Sequence, residues 1–383
     1  MLRLPQAVVT TPDRRFPIPA AFPTRSRISA FLGRTWEGLH APTPTARSSP
    51  LWAARSRALC AGERKRADPQ NNLSRRVLAC LTLTFLLPFA PAHAAESSEP
   101  APLAAQSLLL DVTRAGPRLV AVGDRGHVLL SDDEGVTWRQ IIVPTRAMLT
   151  GVAFGDATHG WAVGHDGVIL HTADAGLTWT QQPSGQDLET VLLDVAFADA
   201  QHGFVVGAYG KCLVTTDGGR IWTSYSPSAE EMHLNQIARS PDGTLYLAGE
   251  MGTLLTARNP AGPWTILDAP YDGSLHGLLP LDASRLLVYG LRGRVFASDD
   301  AGATWSPRET KVPVLLMAGV SLKAGPIVLA GLGGNFNISR DAGATFTPWQ
   351  PLTYTGGVSA LLEATDGALV VVGEKGVARL TLP

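Results

Sequence analysis

Between Leu149 and Gln182, apolar and polar residues alternate in four short runs separated by glycine-bearing turns. Alternation with a period of two over such lengths predicts strands rather than helices. The runs are Leu149–Phe154, Gly160–Gly164, Val168–Thr172 and Leu177–Gln182, a meander of strands A, B, C and D. His165-Asp166-Gly167 is the turn between B and C. So small a meander has nothing of its own to bury Trp179 against, and it needs neighbours of its own kind. The glycine closing strand B recurs at Gly123, Gly164, Gly207, Gly249, Gly290, Gly331 and Gly373, at intervals of 41 to 43 residues. A strand-only repeat near forty residues predicts propeller blades. The expected fold is therefore all-β, a seven-bladed β-propeller of four-stranded antiparallel blades.

The corner between C and D carries its own signature, Ser/Thr-x-Asp-x-Gly-x-Thr-Trp. It supplies Asp133, Gly135 and Trp138, then Asp174, Gly176 and Trp179, then Asp217, Gly219 and Trp222. Asp300, Gly302 and Trp305 follow, and Asp341, Gly343 and Phe346 complete the series. The fourth copy, Ala257–Trp264, lacks the Asp and keeps the Trp. A short carboxylate accepts N–H bonds across its own turn, and the glycine tolerates a positive φ. The aromatic is then free to wedge between blades. This matches the Asp-box, or bacterial neuraminidase repeat. A catalytic acid occurs once per site, whereas these recur once per repeat, so they read as structural staples.

Composition splits the chain in two. Residues 1–94 hold 14 Lys+Arg against 4 Asp+Glu, and residues 95–383 hold 18 against 29. Residues 1–72 are rich in Arg, Pro, Ser and Ala without a sustained period, which predicts a disordered leader. Residues 73–94 read as a signal peptide: Arg75-Arg76, an apolar run, then Ala92-His93-Ala94 for cleavage near Ala94. A translation start assigned too far upstream explains a leader before such a peptide; a transit peptide is the alternative. Export to the periplasm, on the lumenal side of a membrane, is expected, with no integral membrane segment in the mature chain.

The mature chain, a monomer by expectation, keeps only Cys212, expected to be a buried small hydrophobe. Its acidic balance excludes nucleic acid. Residues 107–383 form the propeller, and the last repeat lacks strand D and its Asp box. Residues 95–106 are then either a linker or a closing strand, with Glu96–Gln106 laid along blade seven; a three-stranded last blade is the alternative.

In a propeller the B–C turns and the D–A crossings share one face, and the staples sit on the other. The B–C tips differ from blade to blade: Arg125, His165 and Asp166, Tyr209, Glu250, Arg292 and Lys375. Crossings add Arg146, His233, Tyr271 and Tyr354. Variable loops on a rigid scaffold are where binding usually lives, and a mixed charged and aromatic ring suits protein recognition. His165 and His171 share a blade without a clear third ligand, so no metal and no cofactor are expected. There is no Gly-x-Ser-x-Gly elbow to suggest a catalytic residue.

The unit VGxxGxIxxTxDxGxTW, best seen in Val163–Trp179 and Val122–Trp138, resembles the photosystem II stability/assembly factor family. The likeness runs over about residues 107–382. It implies a non-enzymatic propeller that binds a membrane-protein subunit early in assembly through a basic patch. The chain departs in being acidic here, with only Arg125, Arg292 and Lys375 as basic B–C tips. The partner expected is a membrane or envelope protein subunit, for which the chain is a scaffold or assembly factor. The alternative is a sialidase-like glycoside hydrolase, another bearer of Asp boxes. Such enzymes have six blades, and no FRIP-like segment precedes the first box here.

Overall fold

The computed structural model describes residues 96–383, so the leader and the signal peptide lie outside the described residues. Seven antiparallel sheets follow one another along the chain. Six carry four strands in the order A-B-C-D, beginning with Leu109–Ala115, Arg118–Gly123, Val128–Ser131 and Arg139–Ile141. The seventh carries three: Val358–Glu363, Leu369–Gly373 and Gly376–Leu380. Each strand A packs on strand A of the next blade, and the last packs on the first, closing the ring.

Burial follows the strand's place in the blade. Every residue of strand B in blade two, Gly160–Gly164, is buried, because both faces of that strand are covered by neighbouring blades. Strand D of the same blade, Thr180–Gln182, lies at the rim and is largely exposed. It is three residues shorter than the sequence suggests. Leu177–Trp179 is taken up by the corner, where Asp174 accepts the Thr178 N–H at 2.9 Å. The wedges behave as expected: Trp179 joins the core between blades one and two, and Trp222 that between blades two and three.

The glycine that marks the repeat is needed for close approach. At Gly164 a Cβ would stand 2.0 Å from the carbonyl oxygen of Met148, at Gly331 1.8 Å from that of Leu315, and the other five positions are similar. That carbonyl lies just before strand A and accepts the next N–H along, as in His165 N–H to Met148 O at 2.9 Å. The backbone at Gly164 is extended, so space rather than conformation excludes a side chain there.

Glu96–Gln106 does not form a fourth strand on blade seven. Pro100 and Pro102 lack the N–H groups a ladder needs. The segment is instead wedged between blades seven and one. Ser98 exchanges hydrogen bonds with Val143 beside the rim of blade one (2.8 and 2.9 Å), and the Ala101 N–H donates to Gln140 Oε1 at 2.7 Å. The short 3-10 turn Ala104–Gln106 then packs on the third strand of blade seven.

A side-chain clasp completes the seam. Glu134, in the first Asp box, accepts two bonds from Arg114 at 2.7 and 2.8 Å and one from the Thr365 N–H of blade seven at 2.8 Å. Arg379 of blade seven donates to the Glu134 carbonyl at 3.1 Å and pairs with Asp366. The guanidinium of Arg114 holds the Glu134 carboxyl down at about 2. Cys212 is buried, and loss of solvation pushes its thiol up to about 12, as befits a small core residue.

Candidate functional site

The staples and the tips fall on opposite faces, and their chemistry differs. In the first box Ser131 donates to Asp133 Oδ1 at 2.8 Å, and the Thr137 N–H and hydroxyl donate to the two Asp133 oxygens at 2.8 and 2.5 Å. The Gly135 N–H donates to Ser131 Oγ, and Trp138 Nε1 to the Gly135 carbonyl. Box two repeats the set, and boxes five and six repeat its Ser, Thr and Gly bonds, with Trp305 Nε1 unpartnered and Phe346 in place of Trp. Box three keeps the Thr215 and Ile221 bonds to Asp217. Hydrogen bonds from the threonines hold the carboxyls of Asp133, Asp300 and Asp341 down at about 2. Each carboxylate is occupied by its own corner, and the cavity that Asp341 lines with Ser298 and Asp299 of box five does not include the Asp300 staple.

On the other face six of the seven B–C tips are tight turns whose middle residue is left-handed; in blade seven that conformation falls on Gly376, after Glu374-Lys375. The φ angles are 53° at Arg125, 59° at Asp166, 55° at Tyr209, 51° at Met251 and 58° at Arg292. This conformation is unusual for a side-chain-bearing residue, and it puts the side chain at the apex of the tip. Arg125, Asp166, Tyr209, Arg292 and Lys375 are exposed, whereas His165 is half-buried and its Nε2 has no partner. Tyr209 stands edge-on to His233 with ring centroids 4.7 Å apart, and His233 Nδ1 lies 3.7 Å from Glu250. Tyr209, His233 and Glu250 are therefore brought together across blades three and four.

Other expected members fall elsewhere. Arg146 is exposed but faces Glu96 and Glu99 of the N-terminal segment at 3.5 and 3.0 Å. Tyr271 is half-buried and stacks on Phe296. Tyr354 is 3% exposed, packed between blades six and seven with its hydroxyl donating to the Gly357 carbonyl at 3.3 Å. Burial pushes that phenol up to about 12, and the ring is not presented to a partner. Met251 shares the B–C tip of Glu250 and is 68% exposed, and Leu188, which was not among the expected site residues, is 79% exposed on the same face. Leu188 had a legible signal as one apolar residue between Asp187 and Glu189 in a polar crossing.

Charge divides the face. The tips and crossings from blade two to the start of blade five expose Asp166, Asp187, Glu189, Glu230, Glu231, Asp268 and Asp272, with Lys211 as their base. The remaining arc is mixed, exposing Arg292, Arg294, Lys311, Lys375, Arg125 and Arg146 together with Glu309, Glu374, Glu96 and Glu99.

Nearer the axis lies a second feature, at the third position of the inner strands. Asp111 accepts from its neighbour Val112 and from Val152 of the next blade, both at 2.8 Å. Asp194 does the same with Val195 at 2.8 Å and Ile237 at 2.9 Å, and Gln236 accepts from Leu278 at 2.7 Å. Loss of solvation raises both carboxyls, Asp111 to about 6 and Asp194 to about 8, and Asp111 adds to the rise at Asp194. Both oxygens of each are engaged, so these groups tie blades together. Among the described residues no three His, Cys, Asp or Glu side chains are placed to share a metal ion, and no helix is long and apolar enough to cross a membrane.

Over residues 130–187 and 185–377 the chain matches the family described as Photosynthesis system II assembly factor YCF48. A curated relative is the chloroplastic Photosystem II stability/assembly factor HCF136 of Cyanidioschyzon merolae. It is 43% identical over 47 residues, which span 12% of this chain and 11% of the relative. Among solved structures, YCF48 bound to D1 peptide superposes with a TM-score of 0.61 at 19% identity, covering 76% of this chain and 96% of that one. YCF48 from Cyanidioschyzon merolae gives 0.61 at 19%, covering 74% and 97%. Streptogramin B lyase gives 0.65 at 14%, covering 75% and 97%. At such identities the structural likeness establishes the fold alone, which an enzyme and an assembly factor share.

Proposed function

Because the chain belongs to the photosystem II assembly factor YCF48 family, we propose that it is a non-enzymatic propeller that binds a segment of a membrane or envelope protein and assists assembly of the complex containing it. The observation that carries this reading is the division of labour in the ring. Five Asp-box carboxylates are consumed by their own corners, while the tips of the opposite face differ in kind. Loops that vary on a repeated, rigid support are suited to recognition. That YCF48 has been solved with a D1 peptide supports a polypeptide as the ligand.

We assign binding to the tip face, with Arg125, Asp166, Tyr209, Glu250, Arg292 and Lys375 as its working residues. The protein acts as an exported monomer in the periplasm, on the lumenal side of the membrane that holds its partner, after cleavage near Ala94. The test is an affinity pull-down from envelope extract with wild type, Arg125→Glu/Arg292→Glu and Tyr209→Ala/Glu250→Ala. A membrane-protein subunit captured by wild type and lost with either pair supports the reading. Identical partners from all three would place recognition elsewhere on the molecule.

A further inference from the structure

The acidic arc of the tip face carries three exposed large apolar side chains, while a fourth, Leu352, stands alone in the crossing between blades six and seven. Leu188, Tyr209 and Met251 are 79%, 71% and 68% accessible, in the crossing between blades two and three and on the B–C tips of blades three and four. Tyr209 and Met251 are linked physically: Tyr209 rests on His233, His233 faces Glu250, and Glu250 precedes Met251. The loops carrying them are pinned by backbone hydrogen bonds from Ala208 to Val191, from Gly210 to Met232 and from Gly252 to Gly273, at 2.8 to 3.1 Å. Pinned loops hold Tyr209 and Met251 at the apex with little ordering left to do on binding. Grouped apolar side chains on a soluble surface mark a contact site, and aromatic and methionine anchors are favoured there.

Charge selects the occupant. Asp187 and Glu189 flank Leu188, Glu230 and Glu231 sit in the crossing tied to the Tyr209 tip, and Asp272 lies in the crossing tied to the Met251 tip. A ligand seated on the apolar positions must place its own flanks against these carboxylates, which disfavours acidic segments and favours Lys and Arg. We propose that this arc is the anchor for a basic amphipathic segment of the partner polypeptide, its apolar side chains on Leu188, Tyr209 and Met251 and its Lys or Arg residues facing the flanking acids. The inference rests on the reading that the tip face binds protein. It adds that, within that face, the acidic arc is where a basic segment of the partner seats.

The test is fluorescence anisotropy of the purified protein with two labelled peptides sharing one leucine pattern, one filled with Lys and the other with Glu. The Leu/Lys peptide should bind, weaken with added salt, and weaken by about tenfold or more with Tyr209→Ala/Met251→Ala. Glu230→Lys/Glu231→Lys should weaken it too, and Arg220→Glu, on the exposed corner of the third Asp box, should not. Equal or tighter binding of the Leu/Glu peptide, or indifference to both arc variants, would overturn the proposal. So would light scattering that showed a dimer dissociated by the same variants, since the occupant would then be a second copy. All the substitutions lie on exposed loops, and unchanged thermal unfolding verifies that each variant is folded. If the pull-down captures a partner whose binding ignores the arc variants, this inference alone fails. If wild type captures nothing, the proposed function fails with it.

Discussion

Asn337 offers a quantitative test of how the blades pack. It lies on strand C of blade six (Phe336–Ser339), fully buried, and neither its Oδ1 nor its Nδ2 has a partner. Phe336 and Ile338 face blade seven, so Asn337 faces blade five, alongside its cross-strand neighbour Leu329. The equivalent residues of blades one to five are Leu129, Leu170, Leu213, Leu255 and Phe296, each in the core shared with the preceding blade. Asn337→Leu removes an unsatisfied polar group, worth about 1–3 kcal/mol, and adds buried apolar area, worth about 1.5–3 kcal/mol. Fitting the larger side chain costs about 1–3 kcal/mol. The expected net is a stabilisation of about 2 kcal/mol, or about 4–8 °C in Tm at roughly 2–4 °C per kcal/mol. The mirror change, Leu213→Asn, loses the apolar burial and creates the orphan, and should destabilise by about 4 kcal/mol. Calorimetry and urea unfolding of both variants decide the matter. A folded Asn337→Leu protein with an unchanged or lower Tm would refute the reasoning, because Asn337 would then be satisfied in a way this packing does not account for.

Gly164→Ala forces a methyl group to 2.0 Å from the Met148 carbonyl; it should destabilise by about 3 kcal/mol or more, seen as a sharp loss of Tm, whereas Gly185→Ala, with open space around the added carbon but a positive φ, should cost about 1 kcal/mol. Glu134→Ala removes the bidentate partner of Arg114 and the acceptor of Thr365, with a cost of about 2 kcal/mol, and hydrogen exchange should show faster opening of Val358–Leu380 than of blades two to five. The two sets of carboxylates respond to pH with opposite signs. The raised pKa of Asp194 gives a stability contribution that is present below about pH 4 and lost as pH rises through about 8. The box aspartates, held near 2, contribute above about pH 4 and lose that contribution as pH falls through about 2. Asp194→Asn should therefore flatten the decline in Tm across the neutral range and leave the acid limb intact, which Tm measured against pH will test.

The blade count was legible because the feature that sets it is a local steric demand. A carbonyl pressed against the end of strand B leaves room only for glycine, so Gly123 through Gly373 print the period into the sequence. The boxes were legible for the same reason, since Asp133 and Thr137 meet within one corner. What depended on distant parts of the chain was not. Tyr354 is polar-tipped and falls in a loop, yet it fills the space between blades six and seven. Asp111 and Asp194 sit in strands with no local mark of the bond each makes to the following blade, some 40 residues on. Strand D was overextended because its first residues alternate correctly but are held by the corner. At the tips, residue types were readable, while the acidic arc emerged only once the loops were set around a circle.

The clasp at Glu134 has a consequence for how the ring breathes. At the other six junctions, continuous chain holds one blade to the next. At the seam, the two edges stay together through the apolar cores that blades one and seven share, one carboxylate, two guanidiniums and a proline-bearing wedge. Glu134 occupies the corner position that is Ala175, Gly218, Ala301 or Ala342 in other boxes, so the fastening is a single-residue departure from the repeat. The molecule is thus a clip rather than a hoop. Strong acid or high salt should spring it at one known place before the remaining blades part company.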